Sequence, residues 1–237
     1  MRIAIASDVH LEFGDLILKN EENADVLILS GDICVAADFR KSDSYGIIGK
    51  GKSERYIDFF SRCAFEFPKV LYIAGNHEHY HGDYAETFTI LRNFLGHIQN
   101  LHILDKENVT IDGVTFICGT LWTDMNKEDG ITLMHMKSMM NDFRCITNGA
   151  RETHYKDTVG NAHVRIARFT PDDAVEDHKK MLEYIKIMVE SRHDQKIVVV
   201  GLLNIVPIPI KTIEPKSLTD KRLLNMTYKN FGKPRLR

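Results

Sequence analysis

The feature that most constrains the fold is the stretch Val70–His81, which reads VLYIAGNHEHYH. An apolar run of this length that stops at a turn residue is typical of a buried strand, and Gly75 permits the sharp turn that follows. Open α/β sheets hold their ligand sites outside the carboxyl ends of their strands. We therefore expect the polar residues Asn76 and His77 to lie in a loop at such an edge.

Two earlier segments of the chain end in the same way. Residues 2–6 are mostly apolar and lead to Asp8 and His10, and residues 26–29 are apolar and lead to Asp32. If the three strands end at one edge of a sheet, they bring carboxylate, imidazole and carboxamide groups together. Metal sites are assembled in this manner from residues that are far apart in sequence, so the pattern predicts a metal site.

The chemistry of these residue types fits two divalent cations. Asp8 and His10 are alternate residues, which project the same way from an extended segment. Asp32 has two oxygens and can bridge two cations, Asn76 can bind through its carbonyl oxygen, and His77 is available for proton transfer near neutral pH. Two cations about 4 Å apart lower the pKa of a bridging water and neutralise phosphate oxygens. The pattern therefore predicts phosphoester hydrolysis.

The order of the predicted elements favours an α/β fold. Helical spacing of apolar residues predicts a helix over 54–67, between the second and third strands, which implies that these strands pair in parallel. A second helix is predicted over 83–98, and the Asp-Gly pair at 112–113 predicts a hairpin. A capped helix is predicted over 170–190 and a last strand over 196–200. Mixed sheets are therefore expected rather than a purely parallel one.

Other parts of the chain give weaker signals. The periodicity fades between residues 124 and 169, where only a short helix or lid over 131–140 is indicated. His79 and His81 are more typical of a solvated loop than of additional metal ligands. Trp122 is interpreted as a packing residue.

Three of these segments resemble signature blocks of the calcineurin-like metallophosphoesterases. The blocks are Asp8-x-His10, Gly31-Asp32 and Gly75-Asn76-His77-Glu78; they occur in the family's order, and each follows an apolar strand. Two later segments, residues 141–144 and 168–172, look like a bacterial and phage branch of that family. The resemblance extends over roughly the first 200 residues.

The resemblance implies a four-layer α/β fold, with two mixed β-sheets flanked by helices, and two divalent metal ions such as Mn, Fe or Zn. It implies that Asp8 and His10 hold the first ion, that Asp32 bridges, and that Asn76 holds the second. His77 would donate a proton to the leaving group or stabilise the phosphate. The implied substrate is a phosphomonoester or a phosphodiester, and the sequence specifies neither.

The end of the chain departs from the family's pattern. The family supplies a histidine in the turn after the last strand and more in a later block, but residues 201–204 read GLLN and no histidine follows His193. The imidazole ligands expected for the second metal site are therefore missing from the sequence, and the alternative function is an impaired phosphoesterase-like protein with an incomplete dinuclear site that acts as a binding module or is a decayed gene product. We predict a phosphoesterase domain over 1–200 and a basic tail over 201–237 that is foreign to the fold.

Charge and composition restrict the partners. The formal net charge of −2 gives no overall attraction to nucleic acid or to anionic membranes. The segment 201–237 carries eight Lys or Arg against two acidic residues, so nucleic-acid contact through it is conceivable, although a solvated tail is favoured. The longest apolar run, 197–210, is too short and too rich in proline to span a bilayer. Four scattered cysteines and a strand at the N-terminus favour a cytoplasmic protein.

Overall fold

The structure, a computed structural model, describes residues 1–40, 51–192 and 196–202. Its strands are β1 (Ile3–Ala6), β2 (Val26–Ser30), β3 (Lys69–Ile73), β4 (Leu101–Ile103), β5 (Glu107–Ile111), β6 (Val114–Cys118), β7 (Thr147–Lys156), β8 (Ala162–Arg168) and β9 (Lys196–Val200). Its α-helices are α1 (Lys52–Glu66), α2 (Thr87–Leu95), α3 (Met125–Glu128), α4 (Gly130–Met139), α5 (Asp142–Cys145) and α6 (Pro171–Glu190). Short 3-10 helices span Ala36–Arg40 and His77–His79.

The first sheet brings the ends of three strands to one edge. It has the order β1-β2-β3-β4, and all of its pairs are parallel. Ala6 pairs with Leu29 and Ser30 with Ile73, so β1, β2 and β3 end side by side. Over the described residues this sheet is parallel rather than mixed, because the predicted hairpin joins a second sheet instead.

The second sheet combines a hairpin with the last described strand. β5 and β6 are antiparallel, and their turn has positive φ at Asp112 (47°) and Gly113 (76°), as the Asp-Gly pair predicts. β9 pairs with β6 in parallel, which makes this sheet mixed.

The helices and the two sheets form four layers, which confirms the predicted fold class. Apolar side chains of α1 and α2, such as Phe60 and Leu91, pack on one face of the first sheet. The other face contacts the second sheet through residues such as Ile28 and Phe116. Met181 of α6 packs with Ile117 on the outer face of the second sheet. The order of layers is therefore helices, parallel sheet, mixed sheet, helix.

The long helix α6 begins where the sequence predicts. Thr170 caps it by accepting the N–H of Asp173, whose carboxylate accepts the backbone N–H of Thr170 in return, and Pro171 takes the first helical position. Among the helices of the described ranges, none combines the length and the apolar character that crossing a bilayer requires.

One structural unit has no counterpart in the sequence prediction. β7 and β8 form an antiparallel hairpin in the region where the periodicity fades. Most of its residues are exposed on both faces, so its sequence lacks the alternation of apolar and polar residues that signals a half-buried strand. The predicted basic tail lies outside the described residues from residue 203 onward.

Candidate metal centre

Backbone hydrogen bonds align the loop that follows β1 with the loop that follows β2. The backbone N–H groups of Asp8, His10 and Leu11 donate to the carbonyls of Gly31 (3.2 Å), Asp32 (3.0 Å) and Ile33 (2.9 Å). The parallel pairing of β1 and β2 is thus extended into the loops. As a result, the Asp8-x-His10 block and Asp32 lie beside each other.

The aligned loops bring three metal-ligand types together. Asp8, His10 and Asp32 each present a ligand atom within 4.8 Å of the others. All three residues have positive φ, at 53°, 51° and 55°, a conformation that is uncommon for residues other than glycine and is found at functional sites. Mn, Fe and Zn all bind carboxylate and imidazole ligands. The donor set therefore fits a divalent cation.

The third strand end adds Asn76 and His77 to the same edge. The backbone N–H of His77 donates to Asp32 Oδ1 (3.0 Å), and the side-chain amide of Asn76 donates to the hydroxyl of Tyr80 (3.3 Å). The imidazole of His77 stacks on Tyr80 with ring centroids 4.3 Å apart and meets that of His10 edge-on at 4.4 Å. The five residues singled out from the sequence are thus assembled at one sheet edge.

Burial is the main influence on the pKa of Asp32. Asp32 is 6% exposed, and burial raises its pKa, although the N–H of His77 opposes the shift. For His77, burial would lower the pKa, but the hydrogen bond to Glu12 and the charge of Asp32 outweigh it and the pKa is raised. A cation at Asp32 would supply the positive charge that favours its ionised form.

Glu78, for which the sequence predicts no role, links the loops that form the site. Its carboxylate is fully buried and accepts the backbone N–H groups of Asp32 (2.9 Å), Ile33 (2.7 Å) and Gly75 (2.6 Å) and the hydroxyl of Tyr72 (2.8 Å). It therefore holds the loop after β2 and the loop after β3 together. Burial, reinforced by the charge of Asp32, raises the pKa of Glu78 to about 7.

Replacing Glu78 by glutamine should destabilise the protein. In the wild type both carboxylate oxygens accept backbone N–H groups. In the variant an N–H₂ group replaces one of these oxygens and cannot accept, and each buried donor left unpaired costs about 1–3 kcal/mol. We expect the free energy of unfolding to fall by about 3 kcal/mol, measured by urea denaturation. Glu183→Gln, an exposed change on α6, is the control. Equal stability of the two variants would contradict this role.

Glu12 is a second residue whose importance the sequence did not signal. Its Oε1 lies 3.1 Å from His10 Nδ1 and 2.9 Å from His77 Nδ1. Burial would raise the pKa of Glu12, but the hydrogen bonds from the two imidazoles lower it to about 2. The carboxylate is therefore ionised between the two rings. Its spacing of two residues from His10 is the only signal in the sequence that could have identified it.

The glycines before Asp32 and Asn76 are required by close packing. A Cβ on Gly75 would lie 2.2 Å from Asp32 Oδ1 and 2.4 Å from a methyl group of Leu202, and a Cβ on Gly31 would lie 2.8 Å from the same methyl group. Leu202, the second residue after β9, is thus packed against the two loops. It offers no ligand atom.

His79 corrects one sequence expectation. It is not part of a solvated loop: it is 1% exposed, its Nδ1 lies 2.9 Å from Thr87 Oγ1, and its ring packs against Tyr84 and Trp122. Burial lowers its pKa to about 3, so it is neutral. The 3-10 turn of His77–His79 directs it inward, away from the exposed His81.

A four-layer α/β fold with carboxylate, imidazole and carboxamide groups at the ends of parallel strands defines a class of metal-dependent phosphoester hydrolases. The family model for calcineurin-like phosphoesterases matches residues 1–201. The chain therefore belongs to the calcineurin-like phosphoesterase family, as the three signature blocks predicted.

The proteins similar to the chain include a viral protein and a bacterial hydrolase. An uncharacterized protein of Acanthamoeba polyphaga mimivirus is 26% identical over 153 residues, which cover 59% of this chain and 50% of the relative, so the chain spans half the length of that protein. The crystal structure of a phosphopantetheinyl hydrolase from Mycobacterium tuberculosis superimposes with a TM-score of 0.51 at 15% identity, covering 84% of this chain and 67% of that one. The latter similarity concerns the fold alone.

Proposed function

We propose that this protein hydrolyses a phosphomonoester or a phosphodiester with the help of divalent metal ions. The observation that carries the proposal is the cluster of Asp8, His10 and Asp32, whose ligand atoms lie within 4.8 Å of one another at the carboxyl ends of parallel strands. Neither the fold nor the family specifies the substrate. We propose the domain over residues 1–200 as the hydrolytic unit.

We assign the ligand roles from this arrangement. Asp8 and His10 would hold the first ion, and Asp32 would bridge it to a second ion that also binds Asn76. When bound, such ions supply a water of lowered pKa and neutralise the charge of the phosphate. Mn, Fe and Zn all suit this set of oxygen and nitrogen donors.

The protein's own residues would position the reactants. His77 lies 4.4 Å from His10 between ring centroids and is held by Glu12, so it is placed to give a proton to the leaving-group oxygen as the O–P bond breaks. Its stacking on Tyr80 restricts rotation of the ring. Asp142 lies on this side of the site and is 1% exposed; burial raises its pKa, while its own backbone N–H, the amide of Asn76 and the charge of His77 oppose the increase.

Removal and return of metal test the proposed function. Protein treated with a chelator and then dialysed should not hydrolyse 4-nitrophenyl phosphate or bis(4-nitrophenyl) phosphate. Addition of manganese should restore hydrolysis of at least one of the two, because the ion supplies several kcal/mol of charge stabilisation. The preferred ester would distinguish a phosphatase from a phosphodiesterase. Hydrolysis that survives chelation unchanged, or a folded protein that hydrolyses neither ester with Mn, Fe or Zn, would contradict the proposal.

A further inference from the structure

Glu12 joins the residues proposed for metal binding and for proton transfer. A single oxygen, Oε1, lies within hydrogen-bond distance of Nδ1 in both imidazoles, at 3.1 Å from His10 and 2.9 Å from His77. The Glu12 side chain is only 6% exposed. Its other oxygen, Oε2, is buried and makes no hydrogen bond within the described ranges. In the part of the chain that the structure describes, the side chains that hydrogen-bond to Glu12 are thus the imidazoles of His10 and His77.

The distances determine which nitrogen of each ring can carry a proton. A carboxylate oxygen only accepts hydrogen bonds, so each Nδ1 must donate an N–H to it. In a neutral imidazole the other nitrogen, Nε2, is then the one with a free lone pair. Carboxylates that accept the second N–H of a metal-binding histidine fix its tautomer and its ring orientation in this way.

We propose that Glu12 is a positioning residue that holds His10 and His77 together in the Nδ1–H form and leaves Nε2 of each ring free for the chemistry. The inference rests on the proposed function. His10 would offer Nε2 to the metal ion. His77, when protonated also at Nε2, would pass that proton to the leaving-group oxygen and remain neutral, with its Nδ1–H still bonded to Glu12.

The shared oxygen couples the two rings geometrically. The imidazoles meet edge-on at an interplanar angle of 73° with 4.4 Å between centroids, so neither ring can turn without changing its hydrogen bond to Oε1. Arg55 anchors the chain on both sides of Glu12. It donates a hydrogen bond to the carbonyl of Leu11 (2.8 Å) and forms an ion pair with Asp15 (2.9 Å). Glu12 is thereby held between two anchored points of the first loop.

The tautomers of His10 and His77 can be measured by NMR, which tests the proposal without relying on enzyme activity. Long-range ¹H–¹⁵N NMR spectra of the metal-free protein, at a pH where the imidazoles are neutral, should show the Nδ1–H form for His10 and His77. Glu12→Leu, which keeps the size of the side chain but removes the acceptor, should give mixed tautomers, whereas the exposed control Glu21→Gln should not. Unchanged tautomers in a folded Glu12→Leu protein would overturn the proposal.

The kinetic test separates orientation from general structural support. Loss of a carboxylate that orients a histidine typically costs about 10–100-fold in activity, so Glu12→Leu should lower kcat by that factor with little change in KM. Glu12→Gln, whose carbonyl still accepts a hydrogen bond, should recover part of the loss. The loss should be larger for phenyl phosphate than for 4-nitrophenyl phosphate, because the poorer leaving group needs the proton more.

Two results would overturn the positioning role. An equal loss on both esters, with no recovery in Glu12→Gln, would show that Glu12 does not act through His77. Fewer metal ions per chain in Glu12→Leu than in the wild type at saturating manganese would identify Glu12 as a metal ligand instead. If the wild-type protein hydrolyses neither 4-nitrophenyl phosphate nor bis(4-nitrophenyl) phosphate with added metal, the proposed function fails, while the NMR experiment still decides whether Glu12 fixes the tautomers.

Discussion

Replacing Asp32 by alanine is expected to abolish metal-dependent hydrolysis, with a loss of about 10³-fold or more in kcat/KM. The residue joins Asp8 and His10 in the candidate metal cluster, and its Oδ1 accepts the backbone N–H of His77 at 3.0 Å. Metal ions supply several kcal/mol of charge stabilisation in such reactions, and each 1.36 kcal/mol is a factor of about ten in rate. The metal content per chain, measured by mass spectrometry after manganese loading, should fall together with the activity.

A second Asp32 variant distinguishes loss of a metal ligand from a folding defect. Asp32 has φ of 55°, which asparagine tolerates better than alanine, so Asp32→Asn should keep the loop and still lose activity because it removes the charge. Asp172→Ala, an exposed change in the first turn of α6, is the control. A folded Asp32→Asn protein with wild-type turnover and metal content would contradict our assignment of the metal centre.

The same measurement on the wild-type protein counts the ions. Two ions per chain would mean that ligands for the second ion exist in addition to Asp32 and Asn76. One ion would mean that Leu202 has replaced a ligand and that the second site is incomplete, as the missing histidines suggest. Hydrolysis by the one-ion protein would then have to depend on the ion at Asp8, His10 and Asp32.

Replacing Gly75 by alanine is expected to damage both stability and activity. The new methyl group would lie 2.2 Å from Asp32 Oδ1, 2.4 Å from Leu202 and 2.7 Å from the backbone nitrogen of Asp32. The backbone atom cannot move aside as the end of a flexible side chain can, and overpacking of this kind costs about 3 kcal/mol. A displacement of about 1 Å at reacting groups costs about 100-fold in rate. Thermal unfolding and steady-state kinetics would measure the two losses.

Gly130→Ala is the matched control for that change. A Cβ at Gly130, in the first turn of α4, has no heavy atom within 4 Å, and alanine favours a helix over glycine by about 1 kcal/mol. The control should therefore be as stable as the wild type or more so. A Gly75→Ala protein that unfolds and turns over like this control would show that the loops can separate without affecting the site.

The sequence predicted those parts of the fold that depend on local pattern. Buried strands appear as short apolar runs, and the capping box at Thr170 and the Asp-Gly turn at 112–113 specify their own local geometry. The exposed hairpin of β7 and β8 was missed because neither of its faces contributes much to a core, so no periodic pattern exists to read. The parallel pairing of β2 with β3 was predicted from the helix between them, but the sequence did not show that the hairpin joins a second sheet, because distant segments decide which strands pair.

For the candidate site, the sequence alone singled out Asp8, His10, Asp32, Asn76 and His77, since each follows a strand whose end is marked by a change from apolar to polar residues. Only the tertiary structure decided what supports them. Glu12 and Glu78 act on groups up to 65 residues away in the chain, and His79 is turned inward whereas His81, two residues later, is exposed. These roles arise from hydrogen bonds and burial between segments distant in sequence, which local periodicity does not reveal; the two-residue spacing of Glu12 from His10 is the one local sign of them.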